Sequence, residues 1–480
     1  MPGSSPSPDP TAADREVRSC PPPQRAGAPG APRPRADEVP ERSTAVADAA
    51  VADVAPSTAG PAVPEPLGDQ RPAPPRTFGL VVLLGSMAAL GAINTDLYLP
   101  SLPQVADDLG AAASATQLTI TVVLVGMALG QVVVGPLSDR YGRRPPVVVG
   151  FALFAVASLL CSVAPSLPVL VGLRFLQGLG VAAGAVTGMA VVRDLFTGAA
   201  AARLMSRLVL VIGVAPLFAP TVGGALAGVA GWRAVFVVLA VAGVVLLLAV
   251  RRRLPETRPD VAGAGTGPGV RDTLGQALRT YARLLRDRRF VGFALLPGLA
   301  MSVIVCYVSV SPFVLQEVHG LSTAQFSLLF AVNGVALVGG TQLNAALVGR
   351  FAPLTLLRVG VPATAGLALV LLVVVLTGAG GLAGLLVALW FLLGSGGMVS
   401  PNAVTCALAE HGRTAGSAAA LVTAAQFGLG GAVGSVAGAL GGDERAMAVV
   451  MVGAALAACC SLLVATRSGR AAAATGTMDR

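Results

Sequence analysis

Twelve long apolar runs follow one another along the chain, and they constrain its fold more than any other feature. Each run has about 20 residues, the length that an α-helix needs to cross a hydrocarbon core of roughly 30 Å. Only 12% of the residues are charged, about half the share found in soluble domains. We therefore predict an all-α membrane protein with twelve transmembrane helices. The runs cover residues 78–100, 116–137, 146–164, 167–191, 204–229, 232–250, 290–315, 324–348, 354–377, 380–408, 415–440 and 445–466.

The runs fall into two groups of six, at residues 78–250 and 290–467. The segments 126–145 and 334–353 resemble each other, since each is a Gly-rich run that ends in a basic turn before a proline. This internal repeat predicts two six-helix, pseudo-symmetric bundles around a central site.

Three segments lie outside these bundles. Residues 1–77 hold 18 of the 35 prolines and few large apolar side chains, a composition that predicts a disordered cytoplasmic tail. Residues 468–480 are predicted to form a second cytoplasmic tail. Residues 251–289 form a basic linker between the bundles.

The linker contains an amphipathic pattern. Leu274, Leu278, Tyr281 and Leu285 recur at helical spacing among arginines. Such a helix either lies on the anionic lipids of the inner leaflet or packs against the body of the protein.

All 33 basic residues are arginine, and most of them lie in alternate loops. The positive-inside rule then predicts a multi-pass protein of the cytoplasmic membrane with both termini in the cytoplasm. It also explains the net charge of +9 without a nucleic-acid partner. The absence of lysine excludes a Walker A ATP site. No cluster of metal ligands and no pairing of a nucleophile with a base is present, which predicts neither a metal site nor an enzyme.

Two ionisable residues lie inside the apolar runs, Asp96 and Arg174. Burying charge in a membrane is costly, so both are predicted to face a cavity or a partner. We interpret Asp96 as a protonatable carboxylate whose proton affinity changes with burial and with the approach of Arg174. Two plainer interpretations stay open: Asp96 reaches water at a helix end, and Arg174 forms a structural salt bridge or clamps a carbonyl.

The turn between the second and third runs reads GPLSDRYGRRP, from Gly135 to Pro145. It resembles the loop 2–3 motif of the major facilitator superfamily, G-x-L-x-D-R-x-G-R-R/K. The resemblance implies that superfamily's fold and a gating role for this loop, with Asp139 near the start of the eleventh span around Thr414. The matching residues are Gly135, Asp139, Arg140, Gly142, Arg143 and Arg144.

Three further stretches resemble motifs of proton-coupled drug exporters in this superfamily. RFLQG, starting at Arg174, resembles a span-four motif whose arginine is linked with proton transfer. NTDLYLPSLP, starting at Asn94, resembles the opening of Bcr/CflA-type proteins. A span-five stretch resembles the antiporter motif, although Ala219 stands where that motif usually has glycine. Its matching residues are Gly213, Pro216, Pro220, Gly223 and Gly224.

The resemblance implies a monomeric secondary transporter that exports small amphipathic drugs, such as chloramphenicol- or bicyclomycin-like compounds. Protons would be the coupling ion, and no cofactor is expected. Asn94, Tyr98 and Gln177 are predicted to line the substrate cavity. Two alternatives stay open: an importer of a small nutrient on the same fold, and a membrane receptor or scaffold without transport.

Overall fold

The structure is a computed structural model that describes residues 77–196, 218–257 and 270–476. These residues belong to one compact unit, Pro72–Arg480. Across the described residues, all regular secondary structure is helical, and eleven helices are long and apolar enough to cross a membrane. The predicted disordered tail lies outside the described residues, apart from Thr77.

The first half of the chain contributes seven described helices. The fifth predicted span begins at residue 204, but residues 197–217 lie outside the described part. Only its second portion is therefore seen, as the short apolar helix α6. The helices are α1 (Thr77–Asp96), α2 (Leu102–Asp108), α3 (Ala113–Tyr141), α4 (Arg144–Cys161), α5 (Leu167–Leu195), α6 (Phe218–Ala230) and α7 (Trp232–Arg253).

The remainder comprises one linker helix and six long helices. The last of these runs nine residues beyond Arg467, into the segment predicted as a tail. The helices are α8 (Val270–Arg286), α9 (Arg288–Phe313), α10 (Thr323–Val348), α11 (Pro353–Thr377), α12 (Gly381–Leu408), α13 (Ala415–Ala439) and α14 (Glu444–Gly476).

Local sequence signals set several helix ends. The Asp287 side chain accepts hydrogen bonds from the first backbone amides of α9. Ser322 and Gln325 form a capping box at the start of α10. Gly378 ends α11 with a left-handed φ of 67°. In an apolar medium the helix must satisfy its own backbone, so these ends lie where the chain reaches polar surroundings.

Small residues let the helices of each half touch backbone to backbone. A Cβ atom at Gly126 of α3 would lie 2.4 Å from the carbonyl oxygen of Phe175 in α5. In the second half, a Cβ atom at Gly340 of α10 would lie 1.8 Å from the carbonyl oxygen of Gly394 in α12. Both halves thus use the same device of close helix packing.

The molecule has two ends, named here by their residues. The arginine-rich face carries the α3–α4 turn, Arg251–Arg253 and α8; the opposite face carries α2 and the start of α14. Near the opposite face the two halves are hydrogen-bonded, because Thr121 Oγ1 lies 2.7 Å from Ser435 Oγ and Ser327 Oγ donates to the carbonyl of Pro220 at 3.2 Å. The halves are therefore closed against each other at this end.

The linker helix α8 packs against the body of the protein at the arginine-rich face. Tyr281 and Leu284 are buried, and Tyr281 donates a hydrogen bond to the carbonyl of Val132 in α3 at 3.3 Å. By contrast, Leu278 and Leu285 are 61% and 59% exposed. Of the predicted stripe, Tyr281 therefore faces the protein, where α8 contacts α3, α9 and α13.

Candidate functional site

A cavity of about 290 Å³ lies between the two halves. Helices α1, α3 and α5 line it from the first half, and α9, α10, α12 and α13 line it from the second. Apolar residues and glycines form most of the wall. Its polar side chains are Thr95, Asp96, Tyr307, Asn333 and Gln426. A mostly apolar cavity with a few convergent polar groups is typical of a small-molecule site.

Asp96 is the acidic residue of this wall. It is the last residue of α1, just before the turn Leu99–Ser101, and it is 8% exposed. Within residues 77–196, 218–257 and 270–476, no side chain forms a hydrogen bond or ion pair with its carboxylate. The structure therefore places a lone ionisable group in a membrane-embedded cavity, where such groups usually serve a function.

Arg174 lies behind the cavity wall and is fully buried. Its Nη1 donates to Asn94 Oδ1 at 3.0 Å, to the Asn94 carbonyl at 3.3 Å and to Gln177 Oε1 at 2.8 Å. Its guanidinium also lies 4.7 Å from the ring centre of Tyr98 and 5.5 Å from that of Phe236. Arg174 thus clamps the α1 backbone two residues before Asp96 and forms no ion pair with it.

The three residues predicted to line the substrate cavity surround Arg174 instead. Asn94, Tyr98 and Gln177 are fully buried, and the cavity wall does not include them. A buried guanidinium needs acceptors and aromatic faces close by, and these three side chains supply them. In this conformation the three side chains thus lie around Arg174, and their contact with a substrate stays a prediction.

The second half contributes a polar pair that the sequence analysis missed. Asn333 Nδ2 donates to the Tyr307 hydroxyl at 3.0 Å, and both residues line the cavity. The Tyr307 ring stacks on Phe330 with centroids 5.3 Å apart. The sequence does show one of these polar residues in each of the two apolar runs. It does not show how deep in the membrane each residue lies, so the pattern did not place them at the cavity.

The loop predicted as a gate forms a network of charges at the arginine-rich face. Arg143 lies 2.6 Å from Asp139 and 2.8 Å from Asp194 at the end of α5. The Asp139 side chain is 70% exposed, and the described residues show no hydrogen bond between it and Thr414. Arg144 donates to the carbonyl of Arg251.

Arg140 and Gly135 complete the loop motif. The Arg140 guanidinium lies 5.3 Å from the Tyr141 ring centre. Gly135 borders open space, with no atom near its ideal Cβ position.

Glu256, which the sequence analysis did not single out, lies three residues beyond the end of α7 and binds this loop. Its carboxylate accepts from the backbone amides of Arg143 at 2.8 Å and Arg144 at 3.1 Å, where α4 begins. Gly142 has a φ of +91°, and a Cβ there would lie 2.6 Å from Glu256 Oε2. Gly142 therefore provides both the backbone conformation and the room for this carboxylate.

The described part of the antiporter motif lies against the end of α1. A Cβ at Gly223 would lie 1.9 Å from the carbonyl oxygen of Leu97, and one at Gly224 would lie 2.5 Å from Ser327 Oγ. Pro220 accepts the hydrogen bond from Ser327. Gly213 and Pro216 lie outside the described residues.

Comparison with known sequences gives consistent matches. The sequence model described as Major Facilitator Superfamily matches residues 84–435. The chain is 39% identical over 367 residues to the uncharacterized MFS-type transporter YdgK of Bacillus subtilis, covering 75% of this chain and 89% of the relative. It is 28% identical over 380 residues to a bicyclomycin resistance protein homolog of Haemophilus influenzae, covering 79% and 93%. It is 31% identical over 282 residues to the multidrug resistance protein MdtL of Escherichia coli, covering 58% and 68%.

Solved structures match in fold. The xylose transporter XylE of E. coli, in a partially occluded inward-open conformation, aligns with a TM-score of 0.60 at 20% identity, over 79% of this chain and 96% of that one. An inward-facing bacterial homolog of the human lysosomal transporter Spinster aligns with a TM-score of 0.57 at 16% identity, over 82% and 96%. At these identities the likeness shows the fold alone.

Proposed function

Since the chain belongs to the major facilitator superfamily, we propose that this membrane transporter exports small amphipathic drugs across the cytoplasmic membrane in exchange for protons. Transporters of this superfamily are not enzymes, and none of the steps below forms or breaks a covalent bond in the substrate. The compounds to test first are chloramphenicol- and bicyclomycin-like, because relatives carry the names bicyclomycin resistance and multidrug resistance.

The observation that carries this proposal is the lone Asp96 carboxylate in the mostly apolar wall between the two halves. Protonation would remove its charge, and in a low-dielectric cavity that change strongly alters the energy of the site. A bound drug and a proton would therefore compete for one cavity. Such competition couples the outward movement of the drug to the inward movement of the proton.

Alternating access would proceed by rocking of the two halves around this cavity. The hydrogen bonds Thr121–Ser435 and Ser327–Pro220 hold the opposite face closed. In the other state these bonds would break, and the arginine-rich face would close. Exposed Asp139 would then meet the start of α13, where a helix N-terminus stabilises negative charge.

The test is drug susceptibility of an efflux-deficient bacterium that expresses the chain. Wild type is expected to raise the tolerated concentration of at least one compound several-fold, and Asp96→Asn is expected to abolish this gain. Asp107→Asn is the matched control, because Asp107 is an exposed carboxylate outside the cavity wall. It is expected to behave as wild type at equal expression.

Assays in drug-loaded membrane vesicles measure the direction of drug transport and its coupling to protons. An imposed pH gradient is expected to accelerate the exit of the drug, and this acceleration should disappear when a protonophore collapses the pH gradient. Uptake in the same assay would identify an importer instead. No flux of any compound, with Asp96→Asn indistinguishable from wild type, would favour a receptor or scaffold.

A further inference from the structure

A second concave site, which shares no lining residue with the cavity between the two halves, lies between α11 and α14 at the arginine-rich face. It is a groove of about 460 Å³. Arg358 and Arg467 lie in its wall, together with Pro362, Leu462 and Thr466. None of the described residues in the wall is acidic.

The two arginines have no acidic partner in the part of the chain that the structure describes. Both are exposed, and among the described residues neither guanidinium takes part in a hydrogen bond or an ion pair. Their charges lie in one groove, so they repel each other until an anion binds between them. A planar guanidinium fork binds phosphate oxygens in pairs, which makes phosphate the best-matched anion.

The position of the groove indicates a lipid rather than a solute. Arg467 is the last residue of the apolar span Glu444–Arg467, and Arg358 is near the start of α11. Both lie where a membrane-spanning helix meets the headgroup layer. Next to them, Val359 and Leu463 are 67% and 52% exposed, and such an apolar surface suits acyl chains better than water.

The backbone adds an acceptor to the groove. Pro362 has no amide hydrogen, so the carbonyl of Arg358 lacks its usual helical donor four residues later. This carbonyl lies between two residues of the wall and is able to accept a hydrogen bond from a headgroup hydroxyl. A glycerol headgroup provides such hydroxyls.

We propose that this groove binds the phosphate of an anionic phospholipid with a glycerol headgroup, as in phosphatidylglycerol. Arg358 and Arg467 hold the phosphate, the Arg358 carbonyl accepts from the headgroup, and the acyl chains lie along Val359 and Leu463. The site is independent of the transport cavity. The lipid-binding proposal can therefore be tested separately from the proposed export activity.

The test measures lipid retained by the purified full-length protein. Wild type, Arg358→Gln/Arg467→Gln and the control Arg252→Gln/Arg350→Gln are washed with increasing phosphatidylethanolamine, and bound phosphatidylglycerol is counted by native mass spectrometry. Both double variants lose the same charge, but Arg252 and Arg350 lie outside the groove. We expect a loss of affinity of about fivefold for each groove arginine, and little change in the control.

Equal retention by the groove variant and wild type would overturn the proposal. So would an equal loss in both double variants, since that would indicate general surface charge. A further arm adds inorganic phosphate and follows the thermal midpoint. The proposal expects a rise with phosphatidylglycerol and none with phosphate; an equal rise with phosphate alone would show an anion site without lipid.

Cys459 gives a readout that does not depend on the variants. It lines the groove, whereas its neighbour Cys460 is exposed and does not. In wild-type protein in nanodiscs, phosphatidylglycerol is expected to slow alkylation of Cys459 relative to Cys460 compared with phosphatidylethanolamine. An unchanged ratio would contradict occupation of the groove.

Discussion

At the residue scale, the most informative finding is that Arg174 of α5 contacts α1 two residues before Asp96 without forming an ion pair with it. The guanidinium binds the Asn94 carbonyl and side chain, and the carboxylate faces the cavity. A conformational change that moves the end of α1 must therefore move against this clamp. Arg174 is in this sense a positioning residue for Asp96.

Arg174→Lys tests this role. Lysine keeps the charge but lacks the planar guanidinium whose Nη1 reaches Asn94 and Gln177 and which lies over the Tyr98 ring. Each charged hydrogen bond that is lost costs about 1.5–3 kcal/mol of stability. We expect a folded carrier with a lower thermal midpoint and a transport rate reduced at least tenfold. Arg252→Lys, at an exposed surface position, should leave both quantities unchanged; an equal fall there would refute a specific clamp.

Gly142→Ala probes the clamp on the gating loop. The φ of +91° and the 2.6 Å approach to Glu256 Oε2 both oppose a methyl group, so we expect a loss of about 1–3 kcal/mol of stability. Glu256→Ala removes the steric conflict but not the backbone strain. In that background Gly142→Ala should cost less, as measured by thermal unfolding of all four proteins. Fully additive costs would contradict the close contact.

Sequence patterns located Asp96, Arg174 and the Asp139–Arg144 loop. A charged residue in an apolar run and a motif of adjacent residues can both be recognised from the sequence alone. They did not show that Asn94 and Gln177 contact Arg174, since that depends on which way α1 and α5 face. Glu256 and Asn333 were missed for the same reason. Their partners, Arg143 and Tyr307, are distant in the chain or on another helix.

At the element scale, α8 shows how tertiary contact buries part of a periodic pattern. Tyr281 of the predicted stripe is buried together with Leu284, whereas Leu278 and Leu285 are largely exposed. Burial raises the pKa of the Tyr281 phenol, and the negative charge of Asp139 adds to this effect. The neutral phenol is thus favoured by folding. Its stabilising effect is present below about pH 10 and is lost as the pH rises through the higher folded-state value.

Tyr281→Phe is expected to loosen α8, because it removes the hydrogen bond to Val132 and about 0.5–1.5 kcal/mol of stability. Limited trypsin digestion provides the measurement, as Arg279 and Arg283 lie in this helix. Cleavage should be several-fold faster than in wild type. Leu278→Ala, at a largely exposed position, should leave the rate unchanged; faster cleavage there as well would place the contact on the other face.

At the scale of the whole molecule, the two-lobed arrangement was predictable from twelve apolar runs and an internal repeat. The conformation was not, because both states of a rocking carrier bury much the same helix faces. The Thr121–Ser435 contact at the opposite face belongs to one of those states. A covalent cross-link at this contact should therefore stop the transport cycle.

Thr121→Cys/Ser435→Cys is expected to form a disulfide on mild oxidation and to stop transport until it is reduced. The two oxygens that it replaces lie 2.7 Å apart on different halves. The control is Thr364→Cys/Ser395→Cys, since those oxygens lie 2.9 Å apart within the second half. The control should cross-link without loss of transport. Full transport by the cross-linked first pair would show that the halves do not separate at this face.

In the described part of the chain Asp96 has no cationic partner, and this bears on the electrical behaviour of the carrier. If a single proton binds this carboxylate and is carried inward while an uncharged drug leaves, each cycle moves one net charge across the membrane. A membrane potential then acts on the turnover directly, with about 2.3 kcal/mol for each 100 mV. In vesicles clamped with valinomycin and potassium, export of chloramphenicol should respond to voltage at equal pH on both sides. Export of a singly cationic drug should be electrically silent.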